Sequence, residues 1–362
     1  MRHLSVPSHE TQAWLDLCRQ HGWLAESGVV VLSDDRRGVP LNDAAPPAEA
    51  DVWSGHPCVE VEPKTSGPAR WQERLPPVLQ ALPESLWPAA FEIQGDVLIV
   101  KVEPEVQPHE EAMANAMLAH MPNVRLVCAD EGVEGDFRIR QLRLLATKDG
   151  STTTQTRVKE NGATVWVDPS QVYFSARLST QRQETLTSMQ AFRKLVGHPL
   201  VVADPYAGVG PAFPLLLNEP DLMAGYLAGD LNPAAVELLE RNMTEWTSSL
   251  EAYVPSTIVC LDAREWQHQP SLVGQAHALL VNLPHDSFTH LPDLLPILRR
   301  DTPSLVRGWA IVERSDLELH EQRLKQAVIE AGGQATNTSV NEVKGFSSTR
   351  CFVVFQTFIT WE

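Results

Sequence analysis

From Leu200 to the C-terminus, short apolar runs alternate with helical stretches, and this alternation restricts the possible fold more than any other feature of the chain. The runs are Leu200–Ala203, Ala224–Gly229, Ser256–Leu261, Ala278–Asn282 and Gly308–Val312, with helices expected at Pro233–Trp246, Pro292–Arg300 and Asp316–Ala331. Strands that are apolar throughout and separated by helices belong to a sheet covered on both faces. The pattern therefore predicts an α/β, Rossmann-like, doubly wound parallel sheet at the C-terminal end of the chain. Thr349–Thr360 is long, partly alternating and unfollowed by a helix, which predicts an antiparallel edge hairpin on that sheet.

Ligands of such sheets bind outside the carboxyl ends of the strands, so the residues there are the candidate site. The first end is Asp204-Pro205-Tyr206-Ala207-Gly208-Val209-Gly210-Pro211, an acid followed by a glycine turn that lets backbone approach a ligand. Two glycines satisfy neither the three-glycine dinucleotide fingerprint nor the lysine-bearing phosphate loop. The second is Asp230-Leu231-Asn232-Pro233, where an acid after the second strand is placed to accept ribose hydroxyls. Asp262-Ala263 is placed to accept an exocyclic amine, and Asn282-Leu283-Pro284 offers an amide to orient a base. Each also has a structural explanation: Asp230 and Asp262 as helix caps, Asn282 as a turn former, Pro284 as a strand end. The ordered set is more specific than its members and points to adenosine across the first three ends, with a reacting group near the fourth.

Upstream, His9–Trp23 has helical spacing, Gly22 stops it, and Val29–Leu32 reads as a strand; Val59 and Val61 suggest another. Two strand-like runs around Gly95-Asp96 form a hairpin signal, Glu110–His120 is a helix with Met113 and Met117 as core, and Val124–Cys128 returns as a strand. Thr180 with Gln183 fits a capping box for a helix running to Val196. Three segments are expected: 1–80, a small α/β module; 81–162, an α+β domain; and 163–362, the doubly wound domain. Lys+Arg 29 against Asp+Glu 46 leaves a net charge of −17, which opposes indiscriminate binding to polyanions without excluding a local basic face. The five scattered cysteines show no CxxC spacing and fit a reducing cytosol, with neither a disulfide framework nor a zinc site. No run approaches the ~18 apolar residues of a membrane span, so a soluble chain is expected.

The motifs at 204–211, 230–233 and 282–284 resemble the archaeal and eukaryotic type of tRNA (guanine-37-N1)-methyltransferase. So do Lys159-Glu160-Asn161-Gly162, Val172-Tyr173-Phe174-Ser175-Ala176-Arg177-Leu178 and Gly135-Asp136-Phe137-Arg138. The resemblance covers residues 85 to 360 and implies a class I S-adenosylmethionine-dependent methyltransferase domain, a preceding small RNA-contacting domain, and an N-terminal module gripping a distant part of the tRNA. It implies methyl transfer to N1 of guanosine 37 in the anticodon loop of tRNA, in the cytoplasm, by a monomer without metal. Implied cofactor contacts are Tyr173, Arg182, Asp204, Ala207, Gly208, Gly210, Asp230, Leu231, Asn232, Asp262, Ala263 and Asn282. Arg138 would stabilise charge at O6, with Asn282 and Pro284 shaping the base pocket. Arg140, Arg143, Lys148, Arg157, Lys159, Arg177, Arg193 and Lys194 are available for phosphates.

One departure bears on the chemistry. Where the family carries a glutamate that is the proposed general base, this chain has Gln181, and an amide does not accept a proton near neutral pH. Glu184 substitutes for it, or the proton leaves through water, or activity is lost or changed. The alternatives to methyl transfer at N1 are the aminocarboxypropyl transfer of wybutosine synthesis, methylation of an exocyclic amine, and a tRNA-binding protein without catalysis.

Overall fold

The computed structural model describes the chain except for residues 63–67, 136, 138, 249, 251 and 252. It contains two units, Met1–Ala69 and Arg70–Glu362.

In the first unit, β1 (Arg2–Pro7), β2 (Val30–Val31), β3 (Arg36–Pro40) and β4 (Cys58–Glu60) form an antiparallel sheet in the order β2-β3-β1-β4. Helix α1 (Thr11–Gln20) contributes Trp14 and Cys18 to a core shared with Leu4, Val6, Val39 and Trp53. The helix and two of the strands follow the expected pattern. Neither β1 nor β3 has a strong local signal; β1 is buried because it sits inside the sheet, with Leu4 and Val6 fully covered.

The second unit begins with Trp71 and Leu75, which pack with Trp87, Met113 and Met117, and with a single turn α2 (Pro77–Gln80). Strands β5 (Phe91–Gln94) and β6 (Val97–Val100) form the expected hairpin. The chain crosses by α3 (Glu110–His120) to β7 (Leu126–Glu134), parallel to β6, and returns as β8 (Ile139–Thr147), giving the order β5-β6-β7-β8. Met113 and Met117 are fully buried on the helix face that covers this sheet. Next, β9 (Thr156–Glu160) and β10 (Ala163–Val167) are joined by Asn161 at φ 48° and Gly162 at φ 81°, the pair of positive φ angles that a two-residue hairpin turn demands.

Helix α4 (Ser179–Val196) leads into the large sheet. It starts one residue earlier than expected and lacks the capping box, because the Gln183 amide donates to Asn161 Oδ1 at 2.9 Å and so ties the helix to the hairpin turn. Then follow β11 (Leu200–Asp204), α5 (Phe213–Leu217), β12 (Met223–Asp230), α6 (Pro233–Thr247), β13 (Ser256–Cys260), β14 (Ala278–Val281), α7 (Ser287–Leu294), β15 (Ser304–Glu313), α8 (Leu317–Glu330), β16 (Gly333–Gly345) and β17 (Arg350–Trp361). The sheet order is β13-β12-β11-β14-β15-β17-β16, with β17 antiparallel to both neighbours.

A further expectation is corrected at α7. Helix α7 begins at Ser287 rather than Pro292; the proline lies inside it, and the chain passes into a 3₁₀ turn at Leu295–Ile297. The expected antiparallel edge hairpin is formed by β16 and β17, with the terminal strand as its inner member. Val353, Phe355 and Ile359 pack into one core and Phe352 and Val354 into another, so β17 is covered on both faces, and the polar β16 forms the edge.

Candidate active site

Strand order reverses between β11 and β14, the point at which a doubly wound sheet opens a crevice at its carboxyl edge. A cavity of about 590 Å³ lies there, within the usual size for a small-molecule site. Its floor is the loop after β11. Asp204 is 2% exposed; its Oδ1 accepts from Tyr206 N at 3.2 Å and its Oδ2 from Asn282 Nδ2 at 2.9 Å. Loss of water pushes its carboxyl up to about 7, against the hydrogen bond from Tyr206, and the neighbouring Asp230 adds to the rise. Asp230 Oδ2 accepts from Gly208 N and Oδ1 from Asn232 N, both at 2.9 Å, and burial raises this carboxyl too. Both oxygens keep lone pairs for hydroxyl donors.

The two loop glycines have different reasons. Gly208, at φ 56°, faces the cavity, and a Cβ there would meet only Tyr173 O at 3.9 Å. Gly210, at φ 81°, does not line the cavity, and its Cβ would come within 2.6 Å of Leu239 Cδ1. Gly210 thus serves close packing against α6.

Asn232 rather than Asp230 caps α6, accepting from Ala234 N at 3.0 Å while its Nδ2 donates to Gln171 O at 2.7 Å. Asp262 caps the 3₁₀ segment Ala263–His268 and pairs with Arg264 at 2.6 Å, which holds its carboxyl below the usual range. Asn282 gives its NH₂ to Asp204, so its carbonyl oxygen remains for a donor on a ligand. The loop behind it is fixed by Ile311 N donating to Pro284 O at 2.6 Å and by Ser287, whose hydroxyl donates to Leu283 O at 2.7 Å.

Of the residues the sequence pointed to, Tyr173, Arg182, Asp204, Ala207, Gly208, Asp230, Leu231, Asn232, Asp262, Ala263, Asn282 and Pro284 line this cavity, while Gly210, Gln181 and Glu184 do not. Arg138 and Asp136 lie outside the described residues. Arg182 is buried and bidentate to Glu160 through Nη1 at 2.6 and 2.8 Å, with Nη2 donating to Ser175 O at 3.1 Å and the guanidinium 5.5 Å above Phe174. Burial opposes both charges, raising Glu160 and lowering Arg182, and their mutual attraction offsets it. The Lys-Glu-Asn-Gly motif is accordingly a hairpin turn and an arginine anchor. Gln181 is 6% exposed on the first turn of α4. Glu184 is turned toward Arg307, 3.6 Å from Nη2.

Sequence reasoning missed His290, whose Nδ1 meets Tyr206 Oη at 2.8 Å on the cavity wall, and the far wall formed by Trp309, Ile311, Lys344, Phe346 and Phe352. His290 lies on α7, whose start was misplaced, and the far wall comes from β15 and the β16–β17 hairpin, which only the sheet order brings beside β14. Among the expected phosphate contacts, Arg140 pairs with Glu92, Arg143 with Glu110 and Glu131, and Lys148 donates to the carbonyls of Met121 and Pro122. Arg157 lies 5.1 Å from the Trp166 ring.

The sheet order, the acid-glycine loop and the strand-end acids define a class I, Rossmann-like methyltransferase fold. Residues 156–318 match the family model described as the TRM5/TYW2 methyltransferase domain, and residues 73–152 that of the TYW2 N-terminal domain. Over these stretches the chain is similar to the TRM5/TYW2 methyltransferase family. It is 31% identical over 207 residues to the tRNA (guanine(37)-N(1))-methyltransferase Trm5b of Pyrococcus abyssi, covering 56% of each chain. The chain spans about half the length of the curated relatives it matches. The crystal structure of Pyrococcus abyssi Trm5b aligns over 100% of both chains with a TM-score of 0.66 at 21% identity. The complex of aTrm5 with tRNALeu does so with a TM-score of 0.64 at 19%. At these identities the structures establish a shared fold.

Proposed function

We propose that this protein is a tRNA (guanine-37-N1)-methyltransferase that takes its methyl group from S-adenosylmethionine, acting as a monomer in the cytoplasm. The observation that carries the reading is the cavity floor, where the buried Asp204 and the half-buried Asp230 are carboxyls held above their usual range by loss of water, and where amides and acids from four strand ends converge. Two acids desolvated side by side suit a ligand that brings positive charge, and S-adenosylmethionine carries both a sulfonium and an ammonium. Asp230 and Asp262 are suited to its ribose and adenine, with the Gly208 amide edge beneath. Bound there, the cofactor supplies an electrophilic methyl group.

The acceptor side is supported by Asn282, whose oriented carbonyl oxygen matches a ring N–H donor, and by the names of the relatives. A base in an anticodon loop is single-stranded and cheap to extrude. The N1 proton leaves to water in this reading, because Gln181 is an amide and Glu184 is held by Arg307 away from the cavity. Gln181→Glu then restores a carboxylate on the helix beside the site and raises turnover, with a rate that climbs with pH. A flat, unchanged profile would assign no proton-transfer role to position 181.

A second reading, transfer of an aminocarboxypropyl group, is favoured by the match of residues 73–152 to the TYW2 N-terminal domain. Nucleoside analysis of unmodified tRNA incubated with the protein and S-adenosylmethionine separates the two. N1-methylguanosine at position 37 is the expected product. An aminocarboxypropyl nucleoside selects the second reading, and an unmodified nucleoside at high enzyme concentration refutes both.

A further inference from the structure

The closing turn of the last hairpin has no part in the chemistry proposed above, yet it contributes Lys344 and Phe346 to the far wall of the cavity. The turn is well defined: Phe346 N and Ser347 N both donate to Arg350 O, at 2.9 and 3.0 Å, and Arg350 N donates to Ser347 Oγ at 3.1 Å. Phe346 is 50% exposed, an unusual placement for a ring of this size. Lys344 and Phe346 line the cavity mouth. The Phe346 ring lies edge-on to His285, 6.4 Å away, directly after the Asn282–Pro284 loop, so it stands at the acceptor end rather than the adenosine end.

Charge at this rim runs opposite to that of the whole chain. Arg350 lies 5.3 Å from the Phe346 ring, and Lys344 Nζ lies 5.4 Å from the Phe352 ring. The nearby Glu342 is neutralised by Arg314 through hydrogen bonds of 2.9 and 3.0 Å. Among the described residues neither Lys344 nor Arg350 has a carboxylate partner. On a protein of net charge −17, two exposed cations beside an exposed ring complement a polyanion that carries flat bases. An apolar peptide would have no use for the cations, and a free phosphate none for the ring. Phe137 and Tyr173, which line the same cavity, are also exposed, at 40% and 59%, so it is bordered by rings from three separate segments.

We propose that Lys344, Phe346 and Arg350 form a stacking clamp for the nucleotide adjoining the modified base in a single-stranded loop. Phe346 offers the face on which the neighbouring base stacks, and the two cations meet its backbone phosphates. The proposal rests on the tRNA reading above and adds to it the surface that holds the loop open while the target base is turned in.

The test measures binding of a fluorescent anticodon stem-loop RNA by anisotropy, together with methyl transfer, for the full chain and for Phe346→Ala and Phe346→Tyr. Phe346→Ala is expected to weaken RNA binding about tenfold, the scale of one lost stacked base, and Phe346→Tyr to restore it. An RNA with an abasic site next to the target nucleotide should lose the same factor against the unaltered protein and nothing further against Phe346→Ala. A thermal unfolding midpoint common to all three proteins shows that the fold is intact. RNA affinity within about twofold of the parent in Phe346→Ala, or additive losses with the abasic RNA, would overturn the clamp while leaving methyl transfer standing. Binding that follows the expected pattern without any methyl transfer would instead sustain the clamp and refute the proposed function; no RNA binding by the unaltered protein refutes both.

Discussion

Asp204 carries the clearest pH signature of any single residue in the site. Its carboxyl is raised from the ordinary aspartate range to about 7, so the folded state holds a proton that the unfolded state has already released. The stabilisation this supplies is complete below the unfolded pKa and is lost as pH rises through about 7. A cationic ligand reverses the preference, because it favours the ionised form. S-adenosylmethionine affinity should therefore increase as pH is raised toward 7, by up to about tenfold per unit, and level off above it. Titration calorimetry in buffers of different ionisation enthalpy measures both the affinity and the proton released; a pH-independent affinity with no proton release contradicts the assignment. The Arg182–Glu160 pair makes a second residue-level prediction. Removing one partner strands a buried charge, so Glu160→Ala should cost about 3–5 kcal/mol in urea unfolding, and replacing both with apolar residues of similar size should cost much less.

The loop after β11 separates two uses of glycine within one element. Gly210→Ala places a methyl 2.6 Å from Leu239 at a left-handed φ and should destabilise the fold by about 2–4 kcal/mol. Gly208→Ala has room in the fold and should cost only about 1–2 kcal/mol from its φ, yet weaken cofactor binding because the new methyl points toward the cavity. Unfolding curves and calorimetry on the two variants separate these effects, and equal losses of stability would contradict the distinction. The spacing of glycines was legible in the sequence. Their division of labour was not, since it depends on Leu239 of α6 lying behind one and open space before the other. Similarly, Pro233 read as a helix start with Asp230 as the candidate cap, but only the structure shows that Asn232 is the cap and that its amide, donating to Gln171 O, also anchors the segment leading to Tyr173.

For the molecule as a whole, the net charge of −17 makes the few unpaired cations decisive for any polyanion. Arg143 is held by Glu110 and Glu131, and those hydrogen bonds raise its pKa further, whereas no ion pair is seen for Lys159 among the described residues. If tRNA contacts the cations that lack ion pairs, Lys159→Ala should lower the slope of log affinity against log salt by about one. Arg143→Ala should leave that slope in place and shift the unfolding midpoint instead. Filter binding across a salt series decides it, and a reduced slope in Arg143→Ala would mean that its ion pairs open for RNA.

Local pattern by itself determined the alternating strands and helices of the C-terminal half, the Gly95-Asp96 hairpin, the α3 helix and the residue types at four strand ends, because period, apolarity and turn chemistry are properties of neighbours in the chain. Only the tertiary structure decided which of those ends share a cavity, that β17 lies inside the sheet, and that Glu184 faces Arg307 rather than the cavity. It also brought His290, Trp309 and the Lys344–Arg350 turn to the same opening. Those outcomes depend on strand order and on groups far apart in sequence meeting at close range, and no local period records them.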